Sequence, residues 1–272
     1  MKGIEDKLNA LIKWFKPFTG AIISFSGGTD SSIVAYAAHK ALKKGAVAVT
    51  FLNPIFPDES IERARRVADE IGIKLIFENL QLPKLFYKNP INRCYICKEA
   101  MAKSLVIIKR KLRASVIVDG YQKDDLHDYT PGRGATVKHG VRSPLLELGY
   151  GKEEIRAIAR FVKLSVADKI SSPCLATRIP FGQQITQEKL HRIANAERIV
   201  KRLTGIEVVR VRDHNGLARI EVDREQRALF FDTELMDRIA KELKNLGFNY
   251  VSFDLEGYRR GSVSKPRALH RA

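Results

Sequence analysis

The sequence predicts an α/β protein, a doubly wound parallel sheet followed by a smaller C-terminal α+β domain. Two observations carry this. Up to about residue 165, short and nearly continuous apolar runs alternate with helical patterns. Strands buried on both faces and joined by helices read in that way. Beyond that point a different α-β-β-α-β order begins. The 272 residues are enough for one large or two moderate cores.

The elements follow in order. Residues 4–16 read as an amphipathic helix. AIISF (21–25) is an apolar strand that ends in the turn SGGTDSS. IVAYAAHKALKKG (33–45) has helical spacing and stops at Gly45. AVAVTFLN (46–53) is a second strand, SIERARRVADEIG (60–72) a second helix, and KLIFENL (74–80) a third strand. A helix is expected over 98–112, and ASVIVDG (114–120) is the fourth strand. SSPCLATRIPFGQQ (171–184) lacks a clean period. QEKLHRIANAERIVKRL (187–203) is helical, and 207–223 reads as two strands around His214-Asn215-Gly216. A helix over 226–246 and a strand over 249–255 complete the pattern. The domains expected are 1–170, a cysteine-containing loop 171–185, a C-terminal domain 186–260, and a basic tail 261–272.

Composition narrows the classes. About 44% hydrophobic and 29% charged residues is an ordinary globular balance. No apolar run approaches the roughly 18–20 residues that span a bilayer. The first residues, MKGIEDKLNALIKWF, lack the layout of a secretion signal. A cytoplasmic protein without a membrane partner is expected. The net charge of +17 attracts polyanions, whether nucleic acid, nucleotides or phosphorylated metabolites. After Glu256 the chain carries five Lys or Arg residues and no acidic one, the pattern of a solvated end.

The strongest local signal is Ser24-Phe25-Ser26-Gly27-Gly28-Thr29-Asp30-Ser31-Ser32, which leaves a strand and opens a helix. The glycines let the backbone approach phosphate oxygens, and the helix N-terminus aims N–H groups at them. Ser26, Ser31 and Ser32 can add hydroxyl donors. Asp30 can cap the helix or hold a metal on the phosphates. A Walker loop would need Gly-Lys-Ser/Thr, and a dinucleotide fingerprint GxGxxG; both are absent.

This string resembles the PP-loop of the ATP pyrophosphatase superfamily, which includes GMP synthetase, NAD synthetase and tRNA thiolation enzymes. The resemblance implies an adenine nucleotide alpha hydrolase-like fold and cleavage of ATP between its α and β phosphates. It also puts Gly120 and Asp125, at and after the end of the fourth strand, among the nucleotide-binding positions.

Three cysteines, Cys94, Cys97 and Cys174, do not make a disulfide framework. Cys94-Tyr95-Ile96-Cys97 has ligand spacing for zinc or an iron–sulfur cluster. His127 or His139 could complete a Cys3His zinc site. Three thiolates suit a 4Fe–4S cluster with one open iron, and a redox pair or unrelated thiols are the other readings.

SSPCLATRIPFG around Cys174, together with GVRSPLLELG (140–149), YTPGRGA (129–135) and LARIEV (217–222), is similar to the LarE family over about residues 5–260. Those enzymes are ATP-dependent sulfur transferases. They adenylate a carboxylate of a pyridinium dicarboxylate mononucleotide and convert it to a thiocarboxylate, on the way to a nickel-pincer nucleotide. The resemblance implies several roles. Cys174 handles sulfur, either as a sacrificial donor or as the third ligand, with Cys94 and Cys97, of a 4Fe–4S cluster that carries an extra sulfide; the CxxC places this chain with the cluster type. Arg178 binds phosphate or carboxylate, or offsets charge beside Cys174. Asp30 and Asp125 are candidates for magnesium. Glu197 and Glu221 match acidic positions linked to metal or substrate phosphate, or are plain surface carboxylates. Asp125 and Asp128 fit an acidic segment in which the family continues Tyr-Arg-Pro-Gly. Here it is Tyr129-Thr130-Pro131-Gly132, and Arg133 is the replacement. The substrate implied is a small nucleotide carboxylate, the sulfur donor is unnamed, and a homo-oligomer is expected.

Three other readings compete. A tRNA thiolase would use the same adenylation on a base, favoured by the basic charge but lacking paired CxxC zinc modules. A non-catalytic nucleotide-binding regulator would not need the intact loop. An amidotransferase-type synthetase has no room for a glutaminase domain.

Overall fold

The computed structural model describes residues 2–126, 132–169 and 173–259. His127, Asp128, Tyr129, Thr130, Pro131 and the tail from 260 onward lie outside the described residues. In chain order the helices are α1 (Lys2–Phe15), α2 (Thr29–Leu42), α3 (Asp58–Ile71), α4 (Lys84–Tyr87), α5 (Arg93–Lys111), α6 (Gly132–Lys138), α7 (Pro144–Glu147), α8 (Lys152–Phe161), α9 (Gln187–Thr204) and α10 (Thr233–Asn245). The strands are β1 (Ala21–Ser24), β2 (Ala46–Leu52), β3 (Lys74–Asn79), β4 (Val116–Val118), β5 (Val141–Arg142), β6 (Val209–His214), β7 (Leu217–Val222) and β8 (Tyr250–Phe253).

The described chain divides into two compact units. One takes in residues up to Pro83 and from Asn92 to Lys169; the other takes in Lys84–Ile91 and residues 173–259. Lys84–Ile91 falls within the span expected of the first domain, yet it belongs with the second unit.

The first unit is a five-stranded sheet in the order β3-β2-β1-β4-β5, parallel throughout. Successive side chains of a strand point to opposite faces. Ala21 and Ile23 therefore pack with α1, α2, α3 and α8 on one side. Ile22, with Val47, Val49 and Ile117, packs against Ala102, Leu105 and Ile108 of α5 on the other. Leu8, Leu11 and Phe15 form the buried stripe of α1 at helical spacing.

In the second unit β7 lies between antiparallel β6 and parallel β8. Ala196 and Val200 of α9 and Ile239 and Leu243 of α10 cover this small mixed sheet. Asn89 is fully buried at φ 58°, and its Nδ2 donates to the carbonyls of Ile179, Pro180 and Gln183 at 3.3, 2.7 and 2.9 Å. The amide of Gly182 donates to Asn89 O, and that of Ile185 to Tyr87 O. The short segment thus staples the second half of the cysteine-containing loop.

Several boundaries differ from the sequence reading. Helix α2 begins at Thr29, so the polar Thr-Asp-Ser-Ser string forms its first turn. Helix α5 begins at Arg93 and carries the CxxC in its first turn. The helix expected over 226–246 is a 3-10 stretch, Arg224–Phe231, followed by α10; Asp232 separates them by accepting from the amides of Glu234 and Leu235.

Candidate active site

In a sheet ordered β3-β2-β1-β4-β5 the connections diverge between β1 and β4. Ligands of such folds bind beyond the carboxyl ends of those strands. The phosphate loop leaves β1 there, and Asp119-Gly120 leaves β4.

The loop is held from within. The Phe25 amide donates to Val49 O, and the buried Thr50 hydroxyl donates to Phe25 O at 2.8 Å. The hydroxyls of Ser31 and Ser32 both donate to Gly28 O, at 3.1 and 2.8 Å. They brace the turn, whereas Ser26 is exposed and its Oγ lies 3.2 Å from Ser31 Oγ. Gly27 adopts φ 67°, and a Cβ there would sit 2.6 Å from Ala64 Cα of α3. Gly28 is the N-cap of α2 and, as a glycine, offers no side-chain cap of its own. Asp30 sits in the first turn of the helix. The leading N–H groups and positive dipole end of a 14-residue helix face the loop. Gly120 packs on the same turn, where an added Cβ would lie 2.8 Å from the Ser31 nitrogen.

Beyond β4, the Gln122 amide donates to Asp125 Oδ2 at 3.2 Å. Neighbouring Asp124 accepts from the Lys152 amide at the start of α8. Asp119 is buried and accepts from the Ser143 hydroxyl at 2.7 Å and the Tyr121 amide. Burial pushes its carboxyl above the usual range, opposed by Ser143.

Cys94 and Cys97 lie three residues apart on α5 and so share one helical face, Cys94 exposed and Cys97 part-buried. In the second unit, part-buried Cys174 precedes the 3-10 turn Leu175–Arg178. Its carbonyl accepts from the Thr177 amide, the Thr177 hydroxyl and Arg178 Nη1, at 3.1, 2.8 and 3.1 Å. Arg178 is fully buried. Its Nε and Nη2 bind the two oxygens of Glu197 at 2.8 and 3.1 Å, and Nη1 also reaches Pro173 O. Burial opposes the guanidinium charge, but Glu197 outweighs it and raises the pKa. Arg212 pairs likewise with Glu221 at 3.0 and 2.7 Å and donates to Thr177 O.

The family model described as NAD synthase matches residues 2–113. The pyridinium-3,5-bisthiocarboxylic acid mononucleotide synthase of Lactiplantibacillus plantarum is 31% identical over 272 residues, 97% of this chain and 96% of the relative. The chain belongs to the LarE family. It is an ATP-using sulfur transferase. An uncharacterised protein of Synechocystis is 39% identical over 96% of this chain and 98% of its own length. The NH(3)-dependent NAD(+) synthetase of Pyrococcus furiosus is 37% identical over 79 residues, 28% of this chain and 30% of the relative.

Set against the LarE expectations, the geometry shows what three charged residues touch. Arg178, expected to bind phosphate or carboxylate or to offset charge beside Cys174, turns to Glu197 and donates to the Cys174 carbonyl. Glu197 and Glu221 are buried rather than plain surface carboxylates: both pair with arginines, and Glu197 also accepts from the Val211 amide. Among the described residues no group of three or more His, Cys, Asp or Glu gathers at metal-binding distance, and Cys174 belongs to a different unit from Cys94 and Cys97. No described helix is long and apolar enough to cross a membrane.

Sequence reasoning passed over Asp119, Ser143 and Arg63. Asp119 had a signal, an acid at the end of an apolar strand beside the crevice. Arg63 had none, because its spacing on α3 reads as solvated surface.

Proposed function

We propose that this protein adenylates a carboxylate of a pyridinium dicarboxylate mononucleotide and replaces AMP by sulfur, in the route to a nickel-pincer nucleotide. The observation that carries it is the start of α2 on the SGGTDSS turn, with glycine at its N-cap, in a chain aligned along 97% of its length with a pyridinium-3,5-bisthiocarboxylic acid mononucleotide synthase.

A carboxylate is a poor acyl donor because its leaving group would be oxide. In the proposed step a carboxylate oxygen attacks the α phosphorus of ATP, the bond to the β-phosphate oxygen breaks, and pyrophosphate leaves. The N–H groups of the loop and α2 stabilise the charge on the departing group. An acid in the first turn of such a helix repels phosphate unless a cation lies between them. Asp30, with Asp125, therefore suits the magnesium that accompanies ATP. A sulfur nucleophile then attacks the activated carbonyl carbon, and AMP leaves with the C–O electron pair.

Cys174 is the sulfur-handling residue in this reading. Three hydrogen bonds to its carbonyl fix the backbone that presents the thiol. Three thiols without a fourth cysteine fit a 4Fe–4S cluster that keeps one iron open, with two of them on one helix face. Cys94, Cys97 and Cys174 would hold it, and when bound it supplies an iron site able to carry the transferable sulfide.

The test is iron, acid-labile sulfide and sulfur incorporation in protein prepared without oxygen, with Cys94→Ala alongside. About four irons per chain, as such a cluster requires, lost in the variant, are expected. Cluster-free protein after reconstitution would reject the cluster. A loss of one sulfur from Cys174 after a single turnover would then assign it as the donor. Sulfur incorporation without pyrophosphate release would overturn the adenylation step. The net charge of +17 favours a second reading, tRNA 2-thiolation by the same adenylation, for which tight, salt-sensitive tRNA binding is the expected sign.

A further inference from the structure

Helix α3 packs directly on the phosphate loop, with Ala64 closing on Gly27. One residue earlier, Arg63 is part-buried, and its Nε donates to Gly27 O at 3.2 Å. Among the described residues its two terminal nitrogens have no hydrogen-bond or ion-pair partner. Two buried arginines of the second unit differ: Arg178 and Arg212 each hold a carboxylate. A guanidinium taken partly out of water with no carboxylate bonded to it is costly, and an anionic ligand is one reason to keep it. Burial lowers its pKa; Glu59, one turn before, supports the charge and Arg66 opposes it.

We propose that Arg63 contacts the terminal phosphates of ATP and the pyrophosphate that leaves. Its Nε fixes the carbonyl of the glycine turn, and its planar fork presents the remaining N–H groups to phosphate oxygens. The same side chain thereby shapes the loop and adds the cation that the Gly-Gly-Thr-Asp string lacks. A P-loop obtains that charge from a lysine inside its own motif; here it comes from the helix packed on the loop. The inference rests on the adenylation reading above.

Calorimetry with three probes tests it: magnesium-ATP, magnesium pyrophosphate and AMP, on the full chain and on Arg63→Gln and Arg63→Lys. Glutamine keeps an N–H able to reach Gly27 O and removes the charge. The expected result is an affinity for ATP and pyrophosphate at least about tenfold weaker in Arg63→Gln, equivalent to about 1.4 kcal/mol. AMP binding should stay within about twofold, and Arg63→Lys should recover part of the loss. Pyrophosphate binding unchanged in Arg63→Gln overturns the assignment. So does an equal loss for AMP, which would mark a disordered loop rather than a lost phosphate contact. If Arg63→Gln melts lower than the parent, Arg63→Lys decides, because failure to recover pyrophosphate affinity rejects the role of charge. Failure of the unmodified protein to bind ATP and pyrophosphate would overturn the adenylation reading itself, and the Arg63 assignment with it.

Discussion

Replacing Glu197 by Gln tests what anchors the cysteine loop. The pair is buried, with side-chain exposure of 0% for Arg178 and 8% for Glu197, and it is bidentate. Glutamine preserves shape but leaves the Arg178 guanidinium charged with no counter-charge at that contact. Breaking one side of a buried pair costs about 3–5 kcal/mol. At an m-value of about 2 kcal/mol per M, the urea midpoint of the second unit should fall by about 2 M. Circular dichroism reads the transition, and Trp14 provides an internal control. It is the only tryptophan and belongs to the first unit, so its fluorescence transition should move much less. The double variant Arg178→Met with Glu197→Leu should cost less than Glu197→Gln, because no uncompensated charge remains. A loss under about 1 kcal/mol in Glu197→Gln, or strict additivity in the double variant, would refute the argument that charge pairing holds this loop.

Three further outcomes are expected. Asp119→Asn should gain stability relative to the parent as pH rises. The folded-state pKa of Asp119 is raised, mainly by burial, so its favourable contribution is complete below the unfolded value of about 3.8 and is lost as pH rises through the folded value; melting curves from pH 4 to 8 should diverge in that direction. Gly120→Ala should weaken ATP binding at least about tenfold, since its methyl group would meet the backbone of Ser31 and push the first turn of α2; calorimetry measures it. Asp30→Asn should suppress substrate-dependent pyrophosphate release by roughly 100-fold or more with little change in melting temperature, in line with the loss of a transition-state electrostatic contact. Full pyrophosphate release by that variant would remove Asp30 from the metal site.

The parallel sheet was legible because β1, β2 and β4 are buried on both faces, and an uninterrupted apolar run of strand length suits a position between two helical layers. Strand β5 was not, because Val141–Arg142 is too short to show a period. The early starts of α2 and α5 were missed for a common reason. Thr-Asp-Ser-Ser and Cys-Tyr-Ile-Cys announce chemistry more loudly than helix, yet each is the first turn of one. The phosphate loop was readable from its residues alone, since every part of it is contiguous. The fates of Arg178, Glu197 and Glu221 were not, because the pairing depends on partners 19 and 9 residues away that only the fold brings together. Arg63 lies 36 residues from the carbonyl it binds, and no local pattern reports such a contact.

The Asn89 staple has a consequence for the order of synthesis. Its first acceptor, the carbonyl of Ile179, is made 90 residues later. At a ribosomal rate of about 5–20 residues per second, the segment emerges roughly 5–20 s before that partner. During that interval a buried polar side chain and its neighbours have nowhere to dock, while β4 and β5 of the parallel sheet are still being made. The chain leaves and re-enters the first unit between Pro83 and Asn92 before finally passing to the second. A ribosome-bound chain halted before residue 179 therefore carries an unfinished piece of a unit that does not yet exist. A fragment beginning at residue 173 never receives that piece at all.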